Sequence, residues 1–132
     1  MAHTQVIADD LELFEMANLG PAQTGIEGTI YISTQQAGHA PRVKYYAGRP
    51  GPGRPSMSVT ISDPPQIAIS DVPERIMRQM APAVIGWVKL NHEKLNNFWF
   101  HGGTWMDDEV TAFKASLAKW PAPITPQTDP AP

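Results

Sequence analysis

The sequence predicts an α+β fold, in which a small antiparallel sheet of three to four strands packs against a long helix and a second, C-terminal helix. Short segments that alternate apolar and polar side chains, the period of half-buried strands, lie in the first half of the chain. Segments with an apolar residue every three or four positions, the period of amphipathic helices, lie in the second half. Strands followed by helices are typical of α+β domains.

Four segments are predicted strands. Residues 29–34 (TIYIST) and 42–46 (RVKYY) alternate clearly and predict a hairpin, connected by a polar turn. Residues 57–61 (MSVTI) and 66–69 (QIAI) predict two further short strands. The proline- and glycine-rich residues 47–55 (AGRPGPGRP) predict a long loop with exposed arginines.

The long helix is predicted to begin after Asp71, because a proline and an acidic residue suit its first turn. Pro82 lies inside its pattern, where a proline kinks or splits a helix. Thr104 followed by Asp107 resembles a capping box and predicts the start of the second helix. The predicted apolar faces are Ile76, Met80, Val84, Trp87, Val88, Asn91, Leu95 and Phe98 for the long helix, and Val110, Phe113, Leu117 and Trp120 for the second.

Proline and glycine, 14 and 10 of the 132 residues, also mark the expected boundaries. We expect a partly flexible N-terminal segment over residues 1–25, one domain over residues 26–120, and a disordered proline-rich tail over residues 121–132. The tail (PAPITPQTDPAP) has one sizeable apolar side chain. It can therefore bury too little apolar surface to offset the conformational entropy that it would lose on folding. A single domain is also what this chain length favours.

Composition disfavours several classes of function. The chain has no cysteine, which excludes disulfides and thiolate sites and favours a cytoplasmic location. Its net charge of −3 disfavours general nucleic-acid binding, although a small local patch remains compatible with that charge. The N-terminus lacks the pattern of a signal peptide, and no apolar run is long enough to span a membrane.

The titratable residues form no recognisable catalytic or metal motif. His39, His92 and His101 lack the spacing of a helical zinc site, and neither GxSxG nor GxxxxGK[ST] occurs. We therefore expect no catalytic residue, bound metal or cofactor. The most basic local signal is the patch of His39, Arg42 and Lys44 in the hairpin. With a tyrosine of the hairpin nearby, this combination is able to stack and pair with single-stranded RNA, and a solvated strand face is the structural alternative.

Three stretches resemble a known family. Residues 38–48 (GHAPRVKYYAG), followed by VPERI and residues 84–99 (VIGWVKLNHEKLNNFW), are similar to the small bacterial family called domain of unknown function 4160. In that family a His-x-Pro-His-hydrophobic-His hairpin precedes a helix of the type WI-x-x-(H/N)-(R/H)-E-x-L-x-x-x-W, often encoded beside toxin–antitoxin-like partners. The similarity covers residues 29–99, and the helix pattern is filled by Trp87, Val88, Asn91, His92, Glu93, Leu95 and Trp99.

One departure from the family pattern affects its chemistry. Arg42 and Lys44 stand where the pattern has two further histidines, so that only His39 remains. Neither arginine nor lysine ligates a metal at neutral pH. The resemblance therefore implies a binding protein more than a metal-dependent or proton-transferring one.

Two short segments are similar to the motif Gln-Leu-(Ser/Asp)-Leu-Phe, by which bacterial replication proteins dock on the DNA polymerase sliding clamp. Such a peptide binds in an extended form, with its apolar side chains in a groove. Residues 10–14 keep both leucines and the phenylalanine but lack the leading glutamine and have Glu12 at the third position. Residues 66–70 keep the glutamine but lack the aromatic residue; ordinary packing is the alternative for both. The candidate partner-binding residues are Asp10, Leu11, Leu13 and Phe14 in the first segment, and Gln66, Ile67 and Ile69 in the second.

These observations predict the toxin of a bacterial toxin–antitoxin pair that blocks replication by binding the sliding clamp and is counteracted by a cognate antitoxin. One alternative is an RNA-directed or hydrolytic toxin, with His39 as acid or base and Arg42, Lys44 and Tyr45 holding a phosphate. Another is a non-toxic accessory or antitoxin subunit with the apolar face of residues 110–120 as its partner surface.

Overall fold

The structure is a computed structural model that describes residues 16–35 and 38–121. Within these residues the chain forms five antiparallel strands in the order β1-β2-β3-β4-β5, so that each strand pairs with its neighbour in sequence. The strands are β1 (Met16–Leu19), β2 (Thr29–Ser33), β3 (Arg42–Tyr46), β4 (Met57–Thr60) and β5 (Ile67–Ser70). The helices are α1 (Pro21–Thr24), α2 (Glu74–Leu90), α3 (His92–His101) and α4 (Asp107–Ser116), with a 3₁₀ turn at Gly102–Thr104.

The α+β class is confirmed, but the sheet has five strands where three to four were predicted. The additional strand is β1, which pairs with β2 from Met16 opposite Ser33 to Leu19 opposite Ile30. Its sequence, MANL, does not show the alternation that identified the other strands. Residues 16–19 therefore form a strand because they pair with β2, and not because of their own sequence pattern.

The hydrophobic core lies between one face of the sheet, the inner face, and the helices. Leu19, Ile30, Tyr45 and Met57 stand opposite one another across four strands and are all buried. Helices α2, α3 and α4 pack against this face, and the rings of Phe98 and Phe113 stack at 4.8 Å. The helical residues of the core are Val84, Trp87, Val88, Leu95, Phe98, Val110 and Phe113.

Helix α2 continues through Pro82 and ends instead beside Asn91. Pro82 and Arg78 are both exposed, so water can bond the Arg78 carbonyl that a proline leaves without an amide donor. Asn91 is only 3% exposed, and its amide donates to the Trp87 and Ala118 carbonyls, each at 3.0 Å. Its side-chain oxygen accepts from the Ala118 amide at 2.8 Å. Asn91 thus joins the α2–α3 junction to the segment after α4.

The expected cap of α4 at Thr104 is wrong. Helix α4 begins at Asp107 with Met106 as its N-cap residue, and the Glu109 carboxylate accepts from the Met106 amide at 2.7 Å. The Thr104 hydroxyl donates to the His101 carbonyl at 3.1 Å, which closes the 3₁₀ turn. The acidic first turn still compensates the positive end of the helix dipole.

Candidate functional site

The face of the sheet opposite the core, which we call the open face, carries polar side chains. Because side chains alternate along a strand and directly paired residues share a face, the register defines its composition. One row crosses all five strands, from Asn18 to Tyr31, Lys44, Ser58 and Ile69. The neighbouring positions on this face are Thr29, Ser33, Arg42, Tyr46 and Thr60.

Two adjoining hollows lie on the open face. The first has a volume of about 180 Å³ and is lined by Tyr31, Ser33, Arg42 and Lys44. The second has a volume of about 420 Å³ and is lined by Asn18, Tyr31, Lys44, Tyr46 and the segment 50–52. Tyr31 and Lys44 line both hollows, so the cationic hollow and the tyrosine- and proline-lined hollow share a border.

The three residues of the predicted basic patch, His39, Arg42 and Lys44, lie near one another. Arg42 and Lys44 lie on the same face of β3, and Arg42 Nη1 donates to His39 Nδ1 at 2.8 Å. Arginine has no acceptor atom, so Nδ1 of a neutral His39 is the acceptor and its proton resides on Nε2. In this arrangement Nε2–H of His39 can donate a hydrogen bond, but the neutral ring is too weak an acid to give up that proton and has no free nitrogen to act as a base.

The three tyrosines near the patch divide between the two faces. Tyr31 and Tyr46 lie on the open face, although Tyr46 is only 9% exposed. Tyr45 is buried on the inner face, and its hydroxyl donates to the Glu27 carbonyl at 2.6 Å. Tyr45 therefore cannot hold a phosphate beside Arg42 and Lys44, and that part of the alternative is wrong. Alternation along RVKYY was the signal that could have assigned it, since residues 43 and 45 share the apolar face.

Burial raises the pKa of Tyr31, and the nearby Tyr46 hydroxyl raises it further. Burial also raises the pKa of Tyr45, with an additional contribution from Glu27. Both hydroxyls therefore keep their protons at neutral pH. On the open face, Tyr31 is consequently a neutral donor and not a negative charge beside Lys44.

Charge is distributed unevenly along the chain and favours a positive open face. Between Glu27 and Asp63 the sequence contains no acidic residue, but it contains four of the ten lysines and arginines. Two of these, Arg42 and Lys44, line the first hollow, and Arg49 and Arg54 are exposed in the following loop. The net charge of −3 conceals this local positive region.

The second candidate motif lies at the sheet edge, on β5. Gln66 is exposed just before the strand, and Ile69 is 69% exposed, whereas Ile67 is half-buried and packs against the core. An irregularity in the β4–β5 register separates the two isoleucines. Ile67 pairs with the inner residue Val59, but Ile69 pairs with Ser58 on the open face. Such a bulge re-aims a side chain that simple alternation would bury.

The first candidate motif, with Asp10, Leu11, Leu13 and Phe14, lies outside the described residues. Its role in partner binding therefore stays a prediction from the sequence. Within residues 16–35 and 38–121, Gln66 and Ile69 are the exposed members of the candidate partner-binding set.

The helix pattern that resembles the family serves mainly to build the core. Trp87, Leu95 and Trp99 are fully buried, and Asn91 makes the three side-chain bonds at the α2–α3 junction. His92 contacts the Asn96 amide at 3.3 Å, and Glu93 is exposed. Packing and hydrogen bonding therefore explain most of the residues in this pattern, without a catalytic role for them.

Metal binding and membrane spanning can also be judged from the structure. Across the described residues no three histidine or carboxylate side chains cluster closely enough to hold a metal ion. In the same part of the chain, every helix is too short or too polar to cross a membrane.

The chain was also compared with known proteins. No protein-family model, curated protein or solved structure matches it. The similarity to the family called domain of unknown function 4160 therefore stays a prediction from the motifs.

Proposed function

We propose that this protein is the toxin of a bacterial toxin–antitoxin pair, which acts in the cytoplasm by binding the DNA polymerase sliding clamp and is counteracted by a cognate antitoxin. The observation that supports this proposal best is the exposure of Ile69, at 69%, next to an exposed Gln66 at the sheet edge. These are the first and fourth positions of the clamp-like segment 66–70. Occupying the clamp groove would exclude the polymerase that docks there.

The strand conformation of β5 suits such docking. Within the described sheet β5 pairs only with β4, which leaves its outer backbone edge available to a partner. A docking peptide must become extended before it binds, and a strand is already extended, so less conformational freedom is lost on binding. In this arrangement Ile67 stays in the core while Gln66 and Ile69 contact the clamp.

Residues 10–14 are the alternative docking segment, with Leu13 and Phe14 as the groove-filling side chains. Their sequence keeps the aromatic residue that the β5 segment lacks. Docking through one segment or the other predicts that a different double substitution weakens clamp binding, so one experiment distinguishes the two segments.

Clamp binding can be measured by interferometry with purified clamp and the full chain. We expect either Gln66→Ala/Ile69→Ala or Leu13→Ala/Phe14→Ala to weaken binding by about tenfold or more, the usual cost of removing a central apolar contact. Met106→Ala is the matched control, because Met106 is also 69% exposed but lies outside both segments. Absence of binding by the unmodified chain, or unchanged binding in both double variants, would contradict the proposal.

The second candidate function is an RNA-directed or hydrolytic toxin, and the observation that favours it is the His39–Arg42 hydrogen bond. Arg42 orients His39 so that Nε2–H can donate a hydrogen bond to a phosphate oxygen, with Lys44 on the same strand face as Arg42. RNA cleavage requires a general acid and a general base, and a neutral His39 in this geometry provides neither. Incubation with total RNA tests this candidate: cleavage that disappears in His39→Ala would support it and displace the clamp proposal.

The third candidate, an antitoxin or accessory subunit, would use residues of the 110–120 segment as a partner surface. Val110, Phe113 and Leu117 are buried within the chain's own core, which reduces the apolar area left for a partner. Expression of the chain alone in a bacterial host separates this candidate from a toxin, since an antitoxin does not arrest growth.

A further inference from the structure

The open face combines three features that clamp docking does not use. Arg42 and Lys44 line a small polar hollow, Tyr31 separates that hollow from a larger one, and the chain between Glu27 and Asp63 has no acidic residue. Elsewhere among the described residues, the hollow at the α2–α3 junction mixes charges of both signs, with Asp63 and Glu93 beside Lys89 and Lys94. The open face is thus better suited to an anion than the hollow at the α2–α3 junction.

We propose that the open face binds single-stranded RNA, with a backbone phosphate in the first hollow and the adjoining base against Tyr31 in the second. A guanidinium and an ammonium group are the usual protein partners of a phosphate, and both line the first hollow. A tyrosine ring is a usual platform for an unpaired base.

The shape of the two hollows favours an unpaired strand over a duplex. Since Tyr31 and Lys44 line both, a ligand filling them must place its phosphate and its ring within one nucleotide of each other. Bases in a duplex are stacked and cannot turn a ring face toward a protein side chain. A single strand exposes that face without first breaking pairs.

Asn18 favours RNA over DNA, and the size of the positive region favours an unpaired strand over a duplex. Asn18, exposed on β1, lines the second hollow beside the expected position of the sugar. Its amide can both donate to and accept from a ribose 2′-hydroxyl, the group by which proteins distinguish RNA from DNA. The positive region is also small, which suits a short unpaired segment more than the dense charge of a duplex.

Fluorescence anisotropy of a labelled oligouridylate 12-mer, titrated with the full chain, tests this proposal. We expect salt-dependent binding that Arg42→Ala/Lys44→Ala weakens by about tenfold or more. The slope of log affinity against log salt should become shallower by about 0.7 for each phosphate that the variant no longer neutralises. Arg75→Ala/Lys89→Ala is the charge-matched control, because both residues are exposed on α2, and it should leave affinity nearly unchanged.

The stacking and sugar contacts have separate tests. Tyr31→Phe keeps a ring and should retain binding, whereas Tyr31→Leu should weaken it by about fivefold or more. Asn18→Ala should reduce the preference for oligouridylate over the matching oligodeoxythymidylate. Circular dichroism spectra of the variants show whether each one keeps its fold, and Tyr31→Phe remains informative if Tyr31→Leu unfolds.

Several outcomes would overturn the proposal. These are no binding of the oligouridylate, equal weakening by the two double variants, equal or tighter binding of oligodeoxythymidylate, or tighter binding of a duplex 12-mer. Competition by inorganic phosphate at the same concentration as the oligonucleotide would also overturn it, because the base would then contribute nothing. The assay contains no sliding clamp, so its result and that of the clamp measurement are independent.

Discussion

The two faces of the sheet differ in composition although they belong to the same five strands. The inner face presents Leu19, Ile30, Tyr45 and Met57 to the helices, whereas the open face presents Asn18, Tyr31, Lys44 and Ser58. Adjacent residues along each strand therefore have different surroundings, the core for one and the polar open face for the next. A register shift of one residue exchanges the two faces, as the β4–β5 bulge does between Ile67 and Ile69.

The largest expected effect lies on the inner face, at Trp87. Its side chain is fully buried against the sheet, so Trp87→Ala should lower the free energy of unfolding by about 3–5 kcal/mol. Phe100→Ala is the matched control, because that aromatic side chain is half exposed on α3 and should change stability far less. Urea unfolding followed by circular dichroism measures both. Equal losses of unfolding free energy in the two variants would contradict the expectation that the buried aromatic side chain stabilises the fold more than the exposed one.

Asn91 should show the next largest effect. Asn91→Ala leaves the Ala118 amide and carbonyl without their partners, and we expect a loss of about 2–3 kcal/mol in unfolding free energy. Asn97→Ala, at an exposed position of α3, should change stability by about 0.5 kcal/mol or less. Similar values for the two variants in urea unfolding would show that the Asn91 bonds do not stabilise the junction.

The sequence predicted most of the elements of the fold because four strands and the long helices carry their own periodicity. It missed β1, since MANL has no alternating pattern and becomes a strand only by pairing with β2. It placed the expected helix interruption at Pro82, but exposure of Pro82 lets water satisfy the missing bond, and the break occurs at Asn91.

The candidate site was less predictable, because it depends on strand pairing. Arg42 and Lys44 were identified as a patch from their spacing, but Asn18 was missed together with β1. Ile67 and Ile69 follow the period of a single buried face, and only the bulge opposite Ser58 and Val59 turns Ile69 outward. No local pattern in residues 66–70 (QIAIS) predicts that bulge.

Tyr45 should make stability depend on alkaline pH. Its pKa is raised in the folded state, so its contribution is fully present below about pH 10, the unfolded value, and is lost as the pH rises through the folded value. Tyr45→Phe should be less stable than the unmodified chain by about 1 kcal/mol at pH 8, because the bond to the Glu27 carbonyl is lost. Urea unfolding should show that this difference shrinks as the pH is raised above about 10, the unfolded value. A constant difference would contradict the assigned pKa direction.

The smallest expected effect compares the two isoleucines of β5. Ile69→Thr should change the unfolding free energy by about 0.5 kcal/mol or less, because Ile69 faces solvent and threonine keeps the β-branched shape. Ile67→Thr, two residues away, places a hydroxyl against the core and should cost about 1–2 kcal/mol. Equal costs in urea unfolding would indicate that both side chains share one face and that the bulge is absent.

The function proposed for this chain is an arrest of DNA replication through occupation of the sliding clamp. Pulse-labelling of DNA with thymidine and of RNA with uridine measures that arrest in a bacterial host that expresses the chain. We predict that thymidine incorporation stops first while uridine incorporation continues, and that either Gln66→Ala/Ile69→Ala or Leu13→Ala/Phe14→Ala restores DNA synthesis. Unaffected thymidine incorporation, or an arrest that persists unchanged in both double variants, would contradict the claim.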